Sequence, residues 1–132
     1  MRTAIFQGQI LSNSAYSFIE AHGTGTALGD LIEARAINEV FKASHDTDRP
    51  LFVGAAKSCI GHTEGAAGPV GILKAVLSFR NEAVPGIVHL TDRNANPGID
   101  MGLVPLHLPR ETVPLNRRPD ESGTMPYRAM IL

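Results

Sequence analysis

Two short stretches of this 132-residue sequence carry side chains able to do chemistry. The first is His22-Gly23-Thr24-Gly25-Thr26-Ala27-Leu28-Gly29-Asp30. The second is Lys57-Ser58-Cys59-Ile60-Gly61-His62, leading into Gly65-Ala66-Ala67-Gly68. An imidazole changes charge near neutral pH and can give, take or share a proton, so histidine is the side chain most often placed at a reacting centre. In the second stretch a lysine precedes the histidine by five positions, which adds a cation to the same loop. The first stretch invites a nucleotide-binding reading, but its glycines fall as G-x-G-x-x-x-G. That is one residue too long for a dinucleotide fingerprint, and no lysine follows the last glycine as a phosphate-binding loop requires. Taken singly, each histidine reads more readily as a surface or hydrogen-bonded structural residue. Thr24, Gly25 and Thr26 read equally well as turn chemistry.

The flanking elements change the weight of the two histidines. Tyr16 to Ala21 has the β-branched and aromatic composition of a strand. After the first loop, Leu31, Ala34, Ile37 and Val40/Phe41 recur at helical spacing, which predicts a helix from Asp30 to about Ala43. Asp30 with Glu33 three residues on has the spacing of a capping box. Leu51 to Ala56 is a short continuous apolar run, the pattern of a strand covered on both faces of a parallel sheet. Lys57 to Gly65 is then a polar loop. Ala66 to Phe79 is apolar on nearly every side, which predicts a buried helix. Gly68 and Gly71 each cost that helix about 1 kcal/mol against alanine, a cost that close backbone packing would justify. Leu103 to Leu108 contains Pro105 and reads as an edge strand. Residues 1–15 fit no period, and nothing after Pro109 reads as an element. The order strand-loop-helix-strand-loop-helix-strand implies a layered α/β fold. Both polar loops therefore leave the carboxyl end of a strand, where such sheets carry their functional residues. Two histidines in equivalent loops can converge on one site, which the sequence by itself does not show.

Bulk properties exclude several classes. Hydrophobic residues are 43% and charged residues 19%, a globular balance. The net charge of -1 argues against a nucleic-acid or anionic-membrane surface. No apolar run reaches the roughly 18 residues of a spanning helix, and no signal-peptide core follows Met1. The one cysteine, Cys59, rules out an internal disulfide framework and a multi-cysteine metal site. A cytoplasmic, reducing location with no metal and no bound cofactor is the expectation.

Together the two loops resemble the thiolase-like condensing enzymes. Glu20-Ala21-His22-Gly23-Thr24-Gly25-Thr26, with Gly29-Asp30 and Glu33-Ala34, is similar to the family's E-A-H-G-T-G-T-x-L-G-D-P-x-E-A segment. Lys57 to His62 with Ala66-Ala67-Gly68 is similar to its K-x-N-I-G-H-x-x-x-A-A-G segment. The resemblance runs from about Tyr16 to Pro109 and looks closest to the β-ketoacyl synthases of modular polyketide synthases. It implies a thiolase-like half-domain, a layered sheet with a buried central helix. It also implies decarboxylative Claisen condensation between an acyl thioester on a cysteine and a malonyl thioester on an acyl carrier protein. On that resemblance His22 and His62 match the two active-site histidines. Lys57 matches a lysine held in the site by a carboxylate, and Glu33 occupies the carboxylate's position. Thr24 and Thr26 match threonines that contact the phosphopantetheine arm of the carrier.

The sequence departs from that pattern in three places. The nucleophilic cysteine of the family precedes every segment present here. Cys59 stands where asparagine is usual, and is read as a buried small hydrophobe. Leu31 replaces a proline favoured in the first helical turn. The family's closing glycine-rich strand pair is missing, and residues 110–132 read as an irregular tail. Three regions result: 1–15 as a poorly matching segment, 16–109 as an incomplete ketosynthase C-terminal region, and 110–132 as tail. The expectation is a ketosynthase fragment, truncated or decayed, that does not condense on its own. Its implied partners are an acyl carrier protein, malonyl and acyl thioesters, and a second copy or a complementary ketosynthase half. The alternatives are a non-catalytic module pairing with another ketosynthase subunit, and a malonyl-thioester decarboxylase that uses the histidines without a nucleophile.

Overall fold

The computed structural model describes residues 4–6, 9–99, 106–117, 123 and 126–132, with side chains from residue 12 onward. A strand β3 (Phe18–Glu20) and a strand β4 (Leu51–Gly54) lie side by side, parallel, at the centre of the main sheet. A strand β6 (Leu106–His107) flanks β4 and a strand β8 (Ala129–Ile131) flanks β3, both parallel, giving the order β6-β4-β3-β8.

Helices cover both faces of this sheet. The connection from β3 to β4 is the helix α1 (Gly29–Phe41), and after β4 the chain runs through a one-turn helix α2 (Lys57–Ile60) into α3 (Ala67–Arg80). Strand side chains alternate between the two faces. Ile19, Leu51 and Val53 meet Ile37 and Phe41 of α1, with Tyr16 edge-on to Phe41. Phe18, Phe52 and Ala129 turn the other way and pack with Ala75 and Phe79 of α3. The result is a helix–sheet–helix sandwich with a separate apolar core on each face of the sheet.

Two smaller ladders complete the description. Strands β1 (Ala4–Phe6) and β2 (Gln9–Leu11) form an antiparallel hairpin, and β5 (Ala83–Val84) pairs antiparallel with β7 (Val113–Pro114). The hairpin lies in a segment whose sequence fits no period, because three-residue strands are too short to show one.

Several expectations change. The second loop is not irregular throughout, since Ile60 and Gly61 close helical hydrogen bonds to Ala56 and Lys57. The capping box does not form: Asp30 accepts the Gly25 amide and Glu33 accepts amides of the first loop. Leu106 and His107 do form an edge strand, while residues 103–105 of that expectation lie outside the described residues. The tail is not irregular, since β7 and β8 both lie in it. Strand β8 reads poorly because three residues between a tyrosine-arginine pair and the last leucine offer no alternation. Its pairing with β3 alone defines it.

Helix α3 is covered on one side only. Gly71, Ala75 and Ser78 are buried, but Ile72 and Leu73 are 56% and 58% exposed, and Val76 and Leu77 stand out beside them. The apolar character on every side of this helix is real, and this chain covers half of it. Gly71 is required for that half: a Cβ there would lie 2.8 Å from Ile131 Cγ2 and 3.4 Å from Glu20 Cγ. Gly68 faces open space, so no packing demand explains it.

Candidate active site

His22 and His62 meet. Their ring centroids are 5.6 Å apart with planes at 88°, although 40 positions separate them in sequence. Each sits beside a glycine in a conformation that L side chains rarely adopt, Gly23 at φ +49 and Gly61 at φ +75. These turns let each loop double back, and at Gly23 a Cβ would also press to 3.1 Å from Ala55 Cβ of the other loop. The histidines are brought together because their parent strands β3 and β4 are adjacent and parallel, so both loops leave the same edge of the sheet.

His62 has a defined tautomer. Its Nδ1 accepts the Glu64 amide at 3.0 Å, so in the neutral ring the proton is on Nε2 and that nitrogen is a donor. The first loop is organised by carboxylates. Glu33 of α1 takes the His22 amide at 2.6 Å on one oxygen and the Gly23 amide at 2.8 Å on the other. Asp30 takes the Gly25 amide at 3.0 Å, and Thr26 Oγ1 takes the Gly29 amide at 3.2 Å. The placement of Glu33 differs from the expectation that it holds Lys57. Among the described residues Lys57 forms no ion pair. Glu33 instead fixes the backbone on which His22 stands, accepting two of its loop's amides from α1.

A cleft of about 700 Å³ runs between the two loops. Lys57, His62, Thr24 and Glu33 are among its lining residues. Residues 87–99 line it too, including Ile87, Asn94 and Asn96. That segment is tied to both loops. The Val88 amide donates to Ser58 Oγ at 3.2 Å, and Asn96 Nδ2 donates to Ala27 O at 2.9 Å. Arg110 pairs with Asp92 through both guanidinium nitrogens and holds its carboxyl below the ordinary carboxylate range, first by hydrogen bonding and then by charge. Ser58 and Asn96 thus belong to the site, although their motif context alone did not mark them.

Thr24 and Thr26 lie 3.5 Å apart through their hydroxyls, with Thr26 partly occupied in the turn. Cys59 is exposed, not buried, because α2 turns it outward from the sheet.

Buried beneath the loops is an ion pair. Glu20, the last residue of β3, lies 2.8 Å from Lys74 Nζ of α3, and its other carboxylate oxygen accepts the Ala56 amide. Removing one partner of such a pair strands a buried charge and typically costs about 3–5 kcal/mol.

Comparison with known proteins follows the same lines. Residues 1–91 match the family described as "Beta-ketoacyl synthase, C-terminal domain". The match takes in residues 1–15, which motif reading had set apart. Hispidin synthase of Neonothopanus nambi is 44% identical over 132 residues, 99% of this chain and 8% of that protein, so the alignment extends through the tail. An erythronolide synthase of Saccharopolyspora erythraea is 39% identical over 110 residues, 83% of this chain and 4% of its own length. Among solved structures, the oxazolomycin ketosynthase domain of Streptomyces albus superposes with a TM-score of 0.77 at 34% identity, over 91% of this chain and 20% of that one. The chain therefore spans under a tenth of these two synthases and about a fifth of the solved ketosynthase domain.

Proposed function

Because this chain belongs to the β-ketoacyl synthase C-terminal domain family, we propose that it supplies the two imidazole donors of a decarboxylative Claisen condensation, with the nucleophilic cysteine coming from a part of the synthase outside these residues. The observation that supports this reading is the contact between His22 and His62, 5.6 Å between ring centroids, with His62 and Lys57 both lining the cleft.

The step needs donors aimed at an oxygen that becomes negative. When a malonyl thioester loses carbon dioxide, the bond to the carboxyl carbon breaks and its electron pair enters the thioester carbonyl as an enolate. Preorganised N–H groups at that oxygen lower the barrier most, because they need not reorganise as the charge develops. His62 presents such a donor at Nε2, since its Nδ1 is already engaged by Glu64. His22 supplies the second from the opposite loop, on a backbone fixed by Glu33. Lys57 adds positive charge to the same cleft. The enolate carbon then attacks the acyl carbon on the cysteine, a carbon–carbon bond forms and the thiolate leaves. The carrier is an acyl carrier protein presenting its thioester on phosphopantetheine; Thr24, which lines the cleft, and Thr26 beside it are the threonines proposed to meet that arm. No cofactor resident in the site is required. The protein acts in the cytoplasm, and no helix among the described residues is long and apolar enough to cross a membrane.

A second reading, malonyl-thioester decarboxylation without condensation, has the same support, since both donors meet within this chain alone. There the enolate takes a proton and leaves as the acetyl thioester. One experiment tests both. The chain is supplied with malonyl-thioester, and carbon dioxide release is followed with and without a separately expressed cysteine-bearing ketosynthase segment. Release that falls about 10²–10³-fold on His22→Ala or His62→Ala supports the donor pair. A condensed product only in the presence of the second segment supports the first reading, and acetyl thioester alone supports the second. Release at background under both conditions refutes both.

A further inference from the structure

The chemistry above leaves one buried carboxylate unused. Glu20 is 3% exposed and lies two residues before His22 on the chain. One of its oxygens accepts the amide of Ala56, the residue immediately before Lys57 and α2. The other lies 2.8 Å from Lys74 Nζ, on the helix that follows His62. The two side chains are 3% and 13% exposed. The oxygen facing Lys74 receives no well-directed hydrogen bond, so Lys74 acts there as counter-charge rather than as donor. The backbone is kept bare around the pair. A Cβ at Gly54 would sit 2.7 Å from Lys74 Nζ and 3.0 Å from Glu20 Oε2.

A buried ion pair stabilises a fold little compared with apolar side chains of the same volume. Packing alone therefore gives no reason for a carboxylate at this position. What a carboxylate does here, and a leucine would not, is accept the Ala56 N–H. That amide lies where the second loop leaves β4, and the strand that holds Glu20 continues directly into the first loop. We infer that Glu20 is a positioning residue: it ties the departure of the Lys57–His62 loop to the strand bearing His22, and so holds the two imidazoles in contact, with Lys74 neutralising it. The inference rests on reading His22 and His62 as the donor pair, but its readouts require no turnover. An intact ring contact in a chain that releases no carbon dioxide would refute the donor reading and leave this one standing.

The test compares two doubly neutral variants of the full chain by nuclear magnetic resonance. Glu20→Gln/Lys74→Met keeps an acceptor for Ala56, and Glu20→Leu/Lys74→Met removes it while filling the same space. In the unsubstituted chain, cross-relaxation peaks between the His22 and His62 ring protons are expected, with the Ala56 amide proton shifted downfield. The glutamine variant should keep the ring peaks. The leucine variant should keep its circular dichroism and lose both the ring peaks and the downfield amide. Ring peaks of unchanged intensity in the leucine variant would overturn the inference, as would their loss in a folded glutamine variant. If the leucine variant does not fold, hydrogen exchange in the unsubstituted chain decides. An Ala56 amide as protected as that of Ala21, which bonds Gly54 O at 2.8 Å, upholds the inference, and a freely exchanging Ala56 amide overturns it.

Discussion

One substitution made at two positions of α3 should act with opposite sign. Gly68→Ala adds a methyl group facing open space, and Gly71→Ala adds one 2.8 Å from Ile131 Cγ2. Replacing a helical glycine by alanine where the backbone permits stabilises by about 0.4–1 kcal/mol, chiefly by restricting the unfolded chain. Gly68 should show that gain. At Gly71 the same gain is opposed by overlap. Real Cβ contacts do not come that close, and Ile131 is β-branched, so its methyl has no easy rotamer to retreat into. Its strand is hydrogen-bonded in register with β3, which resists displacement as a whole. Overpacking of this kind costs about 1–3 kcal/mol, leaving Gly71→Ala destabilised by up to about 2.5 kcal/mol. Urea unfolding followed by circular dichroism measures both. In thermal melts, at about 4 °C per kcal/mol for a chain of this size, Gly68→Ala should rise by about 2–4 °C and Gly71→Ala should fall. In an Ile131→Ala background the clash is gone, and Gly71→Ala should become stabilising. Equal stabilisation by the two alanines in the unsubstituted chain would refute the close packing of α3 on β8.

Three further outcomes are expected. The exposed apolar face of α3 should drive self-association, seen as dimers or larger species by light scattering and as hydrophobic-dye binding. Leu73→Glu with Leu77→Lys should suppress both while shifting stability by no more than about 0.5 kcal/mol, and a monodisperse unsubstituted monomer without dye binding would contradict this. Exposed Cys59 should react with a thiol reagent in the folded chain as fast as in the unfolded one, yet take no stoichiometric acyl group from an acyl-thioester by intact mass. An acyl adduct abolished by Cys59→Ala would make it a nucleophile after all. Glu33→Ala removes the acceptor of two loop amides, each such bond to a charged group being worth about 1.5–3 kcal/mol. It should release the His22 loop and depress carbon dioxide release without unfolding the sheet, and undiminished release would show that the loop keeps its shape without the carboxylate.

The residue types and order of the chain were enough to pick out the two loops whose histidines the fold brings together. Two histidines, each in a polar loop between an apolar strand and an amphipathic or apolar helix, already implied a parallel sheet with both loops at one edge. That much is legible because strand and helix periods, glycine placement and loop polarity are local properties, written within ten to fifteen residues. Ala66–Phe79 reads as apolar on all sides for the same reason, and no local property says how much of it this chain covers. Tertiary structure alone decided the partners. Glu33 lies at capping-box spacing from Asp30, yet the Asp30 amide already bonds Thr26 O and the Glu33 carboxylate takes the His22 and Gly23 amides instead. Cys59 was read as buried because cysteine usually is, but one turn of α2 points it outward. Strand β8 has no pattern of its own and exists through its pairing with β3. The Glu20–Lys74 pair joins residues 54 positions apart. Contacts across such separations depend on which strands become neighbours, and the sum of many weak packing terms over the whole sheet selects those neighbours.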